Sequence, residues 1–162
     1  MTYCRKELYL LQDFDFDIIQ NQTKKYEPQS KFLIVIDVVN NDNGIFCLTT
    51  SLRGKNSSLI VPKLTDRCTP MEDTHFFKFD ECQICDSFKF DVQTYVQGKP
   101  SNVFEESIVT LYQTFNKKLK SENKGSLKND IFLSLLSCLC QSKFLDRNLK
   151  SRIQIIGEQE SK

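Results

Sequence analysis

The chain has 162 residues, 22 Lys and Arg against 21 Asp and Glu, and seven cysteines. That length suits one domain with a real core, so disulfides are not needed for stability, and the near-neutral balance excludes a global basic signal for nucleic acid. No leader-like segment opens the chain and no apolar run reaches membrane-spanning length, so a cytoplasmic protein with no membrane partner is expected, and the odd cysteine count suits reduced thiols better than a disulfide framework.

Residues 4–20 read two ways. Leu8, Leu11, Ile18 and Ile19 make a helix face, whereas "FDFDI" alternates like a strand. Asp13, Asp15 and Asp17 would share one face of such a strand. Pro28 then keeps Glu27 out of a helix, so residues 21–30 read as loop.

"KFLIVIDVVN" contains the continuous β-branched and aromatic run Phe32–Ile36, the pattern of a buried strand. "NNDNG" is turn chemistry, with Gly44 free to take positive φ, and "IFCLTTS" is the return strand. "SSLIVPKL" predicts a third strand, residues 65–73 a loop and "THFFKFD" a fourth strand. Residues 88–96 alternate, with Phe88, Phe90, Val92, Thr94 and Val96 on one face.

The period then changes. Asn102 precedes Glu105 by three, and Phe104, Ile108, Leu111, Tyr112, Phe115 and Leu119 recur at helical spacing. "SENKGS" breaks the chain. A second helix is expected from about Leu127 to Gln141 and a third along Leu145, Leu149, Ile153 and Ile156, with a frayed tail from Gly157. Five short strands followed by two or three helices make an α+β single domain, with a strongly bent sheet or open barrel over residues 28–98 and a helical part over 102–156. Residues 117–152 carry nine basic side chains against Glu122, Asp130 and Asp146, either a solvated helix face or a surface for RNA or an acidic partner.

Several chemistries find little support. Cys82-x-x-Cys85 offers half of a zinc site, with His75, Cys68 or the Cys138/Cys140 pair as the other half; free cysteines are the competing account, and no metal or cofactor is expected. His75, the only histidine, opens a strand with Phe77 and Phe79 on its side, which suits packing as well as acid–base work. The chain lacks a nucleophile elbow, a phosphate loop and a dinucleotide fingerprint.

One constellation suits a phosphodiester. Lys31 opens the first long strand, and Thr49, Thr50 and Ser51 end its hairpin partner, followed by Arg53 and Lys55. In an antiparallel hairpin those ends are neighbours. A cation there offsets the extra negative charge of a pentavalent transition state, and a hydroxyl donates to a non-bridging oxygen.

The order of these elements resembles the MazF/PemK (Kid) toxin family. "KFLIVIDVVNNDNGIFCLTTSLRGK" looks like its front half, with a basic residue opening a hydrophobic strand, an Asn/Gly turn and a return strand ending in hydroxyls. "THFFKFDECQICDSFKFDVQTYVQ" is similar to its continuation, and residues 102–120 to its closing helix. The resemblance covers about residues 28–120. It implies a compact SH3-like barrel, usually a homodimer, that cleaves single-stranded RNA without metal and leaves a cyclic phosphate and a 5′-hydroxyl, with an antitoxin protein blocking the groove. It implies catalytic roles for Lys31 and for Thr49 or Thr50, with Arg53 as a compensating cation. Ser51, Lys55 and His75 are the expected substrate contacts, His75 also serving as reserve acid or base. Lys31 stands where the family has arginine, so the planar bidentate fork is lost. A non-catalytic SH3-like protein- or nucleic-acid-binding module is the alternative.

Overall fold

A computed structural model describes residues 3–14, 29–40, 42–51, 67–72, 74–79, 84–91, 93–111 and 121–162. It holds eight strands: β1 (Glu7–Phe14), β2 (Gln29–Val39), β3 (Asn43–Ser51), β4 (Cys68–Pro70), β5 (His75–Phe79), β6 (Thr94–Gln97), β7 (Val103–Ser107) and β8 (Ser121–Ser126). Residues 108–111 are helical, and two longer helices follow, α1 (Asn129–Gln141) and α2 (Arg147–Glu160). The α+β class is as the sequence predicts.

The strands pair antiparallel in the order β4-β5-β6-β3-β2-β1-β8. β3 is the junction. One edge pairs with β2; along the other, residues 43–47 pair with β7 and residues 49–51 with β6. Among the described residues the sheet is open, with β4 and β8 at its two edges.

Alternation along β2 and β3 feeds two cores. Ile34, Ile36, Ile45 and Cys47 face α1 and α2, packing with Phe132, Leu135, Leu136, Leu139, Ile153 and Ile156. Leu33, Val35, Phe46 and Leu48 face the other way, against Tyr9, Leu11, Tyr3 and Leu111. A strand covered on both faces reads as a continuous apolar run, which is why Phe32–Ile36 lacks polar alternation. α2 buries only Ile153 and Ile156, and its start is capped by Asp146, whose carboxylate accepts from the Asn148 amide at 2.9 Å.

Several local expectations need correction. Residues 4–20 begin as a strand, β1, because its edges pair with β2 and β8. Within the expected loop 65–73, Cys68–Pro70 is β4, held by pairing with β5. Of the expected strand 88–96 only the end is in β6; Phe88 makes one bridge with Cys85, and Phe88 and Phe90 pack half-buried against the helix-side core. The expected helix from Asn102 starts as β7, whose residues pair with β3 at Asn43–Cys47. "SENKGS" is β8, an exposed polar strand along β1. The strands therefore run outside 28–98. The third expected strand, in residues 57–64, lies outside the described residues.

The turn is also built differently. Asn40, not Gly44, has positive φ, at 53°. Gly44 lies within β3, where a Cβ would sit 2.4 Å from the Phe46 ring and 3.0 Å from the Asp37 carbonyl oxygen. The glycine admits a ring rather than a turn. The tail does not fray from Gly157: α2 runs to Glu160, whose carboxylate accepts from Arg5 Nη1 at 3.0 Å and pairs with Lys6. No helix among the described residues is long and apolar enough to cross a membrane.

Candidate functional site

The strand end is assembled by register. The β2–β3 ladder ends where Leu33 pairs with Leu48, so Lys31 and Thr50 each lie two residues beyond that last pair, Thr50 pairing with β6. On its other side Lys31 pairs with Leu11 of β1. Lys31 and Thr50 thus both lie just past the end of the β2–β3 ladder.

The two threonines, however, point to opposite faces. Thr50 follows Phe46 and Leu48 at steps of two, on the face away from α1 and α2. Thr49 follows Ile45 and Cys47, on the helix side. Thr49 is only 1% exposed, and its hydroxyl has no hydrogen-bond partner. Thr50 is half-buried and accepts from Gln97 Nε2 at 3.3 Å. Thr50 pairs with Tyr95 across β3 and β6, and Tyr95 meets Phe76 edge-on, with ring centroids 6.0 Å apart. Period-two alternation therefore separates side chains that adjacency in sequence had grouped.

Electrostatics at this end rest on Lys31. Its side chain is half-buried, and burial lowers its pKa, because an ammonium loses hydration there. Burial likewise raises the pKa of Tyr95. Ser51 ends β3, its side chain outside the described part, and Arg53 and Lys55 lie outside the described residues.

His75 is placed elsewhere. It opens β5 on the face of Phe77 and Phe79, under α1, and is 6% exposed. Its Nε2 lies 3.0 Å from Cys68 Sγ, and burial lowers its pKa. Cys68 is bonded to Cys138 of α1 in a disulfide across 70 residues of sequence, which corrects the expectation that the thiols are reduced. The sequence names these three residues as partners for Cys82 and Cys85, and His75 also as a substrate contact and reserve acid or base. Cys85 is instead buried in the main core beside Leu127, its thiol pushed up to about 11 by burial and then by Asp86. Cys82 lies outside the described residues. Cys140 turns away from Cys138, its thiol 3.7 Å from the Lys150 carbonyl oxygen, as two-residue spacing on a helix requires.

The basic third is partly neutralised. Lys124 pairs with Glu122 at 2.8 Å and Arg152 with Glu105 at 2.5 Å. Lys117, Lys118 and Lys120 lie outside the described residues. A cavity of about 900 Å³ between α1 and α2 is lined by Leu136, Cys140, Ile153 and Gly157 and touches neither Lys31 nor Thr50. No family model, curated protein or solved structure matches the chain.

Proposed function

We propose that this chain is a toxin-type endoribonuclease that cleaves single-stranded RNA without metal, and that its sheet is an SH3-like barrel of the MazF/PemK kind. The observation that carries this reading is that half-buried Lys31 and Thr50 each lie two residues beyond the last β2–β3 pair, Leu33 with Leu48. In the reaction a ribose hydroxyl attacks the adjacent phosphate, a cyclic phosphate forms and the 5′ oxygen leaves with a proton. Lys31 offsets the charge on the phosphorane. Its lowered pKa brings the ammonium closer to proton exchange, which an arginine cannot do. The Thr50 hydroxyl, held by Gln97, donates to a non-bridging oxygen. Ser51, Arg53 and Lys55 follow Thr50 directly and hold the strand by charge and hydrogen bonds. Thr49 supports the strand from the core side, and His75 takes no part in the chemistry. The same reading makes the protein a cytoplasmic homodimer countered by an antitoxin.

A second reading has two observations in its favour. Thr49 turns into the core and Lys31 lacks the guanidinium fork, features that suit a non-catalytic SH3-like module binding RNA or protein. Incubation with long single-stranded RNA in EDTA, with mapping of the ends, separates the two. New 5′-hydroxyl ends support cleavage; intact but retained RNA supports the module.

A further inference from the structure

We propose that Cys68, His75 and Cys138 form a thiol-gated site for a zinc-class divalent cation, closed by the disulfide when oxidised and open to metal when reduced. The three donor atoms lie within 4.8 Å of one another, although they come from β4, β5 and α1. They form the one such group of three ligands found among the described residues.

Strand pairing and core packing hold these positions alongside the disulfide. Cys68 pairs with Phe77 in the β4–β5 ladder, so His75, two residues before Phe77, lies diagonally beside it on the same face. Cys138 sits between Leu135 and Leu139, both buried against the sheet. Two thiolates and one imidazole are a borderline-soft donor set that suits zinc.

The site also has an open side. A cavity of about 420 Å³ reaches Cys68 and Cys138 and is lined by Arg67, Ser134, Ser137 and Gln141. With both cysteines at this cavity, three protein ligands leave a fourth position for water or an anion. Arg67 stands at its rim, with Nη1 3.4 Å from Ser134 Oγ.

The chemistry balances with a phosphine as reductant. Phosphine, water and the disulfide give phosphine oxide and two thiols, the sulfur–sulfur bond taking two electrons and two protons. A divalent cation then displaces those two protons and binds both thiolates. The sulfurs move apart to about 3.8 Å, the separation set by tetrahedral angles and a metal–sulfur distance of about 2.3 Å.

The test uses the full chain, reduced anaerobically with a water-soluble phosphine and titrated with Co²⁺ as a spectroscopic probe. The expected result is one equivalent bound, with a near-ultraviolet thiolate-to-cobalt band that Zn²⁺ removes. The oxidised protein gives no band. Cys68→Ser, with its fold checked by circular dichroism, abolishes the band. His75→Gln keeps both thiols and weakens binding more than tenfold, and the Cys82→Ser/Cys85→Ser double variant binds as the parent does. No band in the reduced protein, a band retained in Cys68→Ser, or unweakened binding in His75→Gln overturns the site.

Discussion

Glu160, two residues from the last residue of the sequence, accepts from Arg5 at 3.0 Å, and Arg5 in turn donates to Asp37 at 2.7 Å. One guanidinium thus ties the end of α2 to β2 through the entry to β1. Lys6 also pairs with Glu160. The side chains of Arg5, Asp37 and Glu160 are each less than a third exposed, so this network is better shielded than an ordinary surface pair.

Glu160→Gln is expected to cost about 1 kcal/mol in urea unfolding near neutral pH. The hydrogen bond from Lys6, followed by that from Arg5, lowers the Glu160 pKa against the opposing effect of burial. The stabilisation is therefore present above the ordinary carboxylate range and lost as pH falls through the depressed folded value. The difference between parent and variant should shrink on acidification; a constant difference would remove the ion pair from the account.

Thr49→Val is expected to stabilise the protein by about 1 kcal/mol, because a buried hydroxyl without a partner is replaced by a methyl of similar shape. RNA cleavage should be unchanged. Thermal unfolding and the cleavage assay together check this, and lost activity in a stable variant would return Thr49 to the site.

Gly44→Ala is expected to cost about 1–3 kcal/mol, since the new Cβ meets the Phe46 ring and a backbone oxygen. Denaturant midpoints measure the loss. A neutral substitution would mean that Phe46 leaves its position between Tyr3 and Phe104 easily.

Cys68→Ser is expected to cost about 2–4 kcal/mol under oxidising conditions, the loss of a cross-link closing a 70-residue separation. Under reducing conditions without metal the parent and variant should converge, as denaturation curves with and without phosphine will show.

How legible the fold was depended on where each element finds its partner. β2, β3, α1 and α2 carry their own apolar patterns, and the sequence reading places them well. β7 does not: Phe104 shares the helical spacing of Ile108 and Leu111, and the open edge of β3 makes residues 103–107 a strand. β8 is polar throughout because it is an edge strand, where charge discourages association, and polar strands resemble breakers. At the site, the hairpin pattern puts Lys31 and Thr50 each two residues past the Leu33–Leu48 pair. The separation of Thr49 from Thr50 was readable in principle, since alternation on a strand puts neighbours on opposite faces. The Cys68–His75–Cys138 cluster joins β4 and β5 to a helix distant in sequence, and no local spacing announces it.

The most direct test is single-turnover cleavage of a long single-stranded RNA in EDTA by the parent, Lys31→Ala, Thr50→Ala and Thr49→Val proteins, with product ends mapped. The account predicts 5′-hydroxyl ends from the parent and from Thr49→Val. It predicts losses of at least about a hundredfold in Lys31→Ala and Thr50→Ala, the scale on which acid–base and charge-stabilising groups act. Intact RNA with the folded parent, or full activity in both alanine variants, would contradict it.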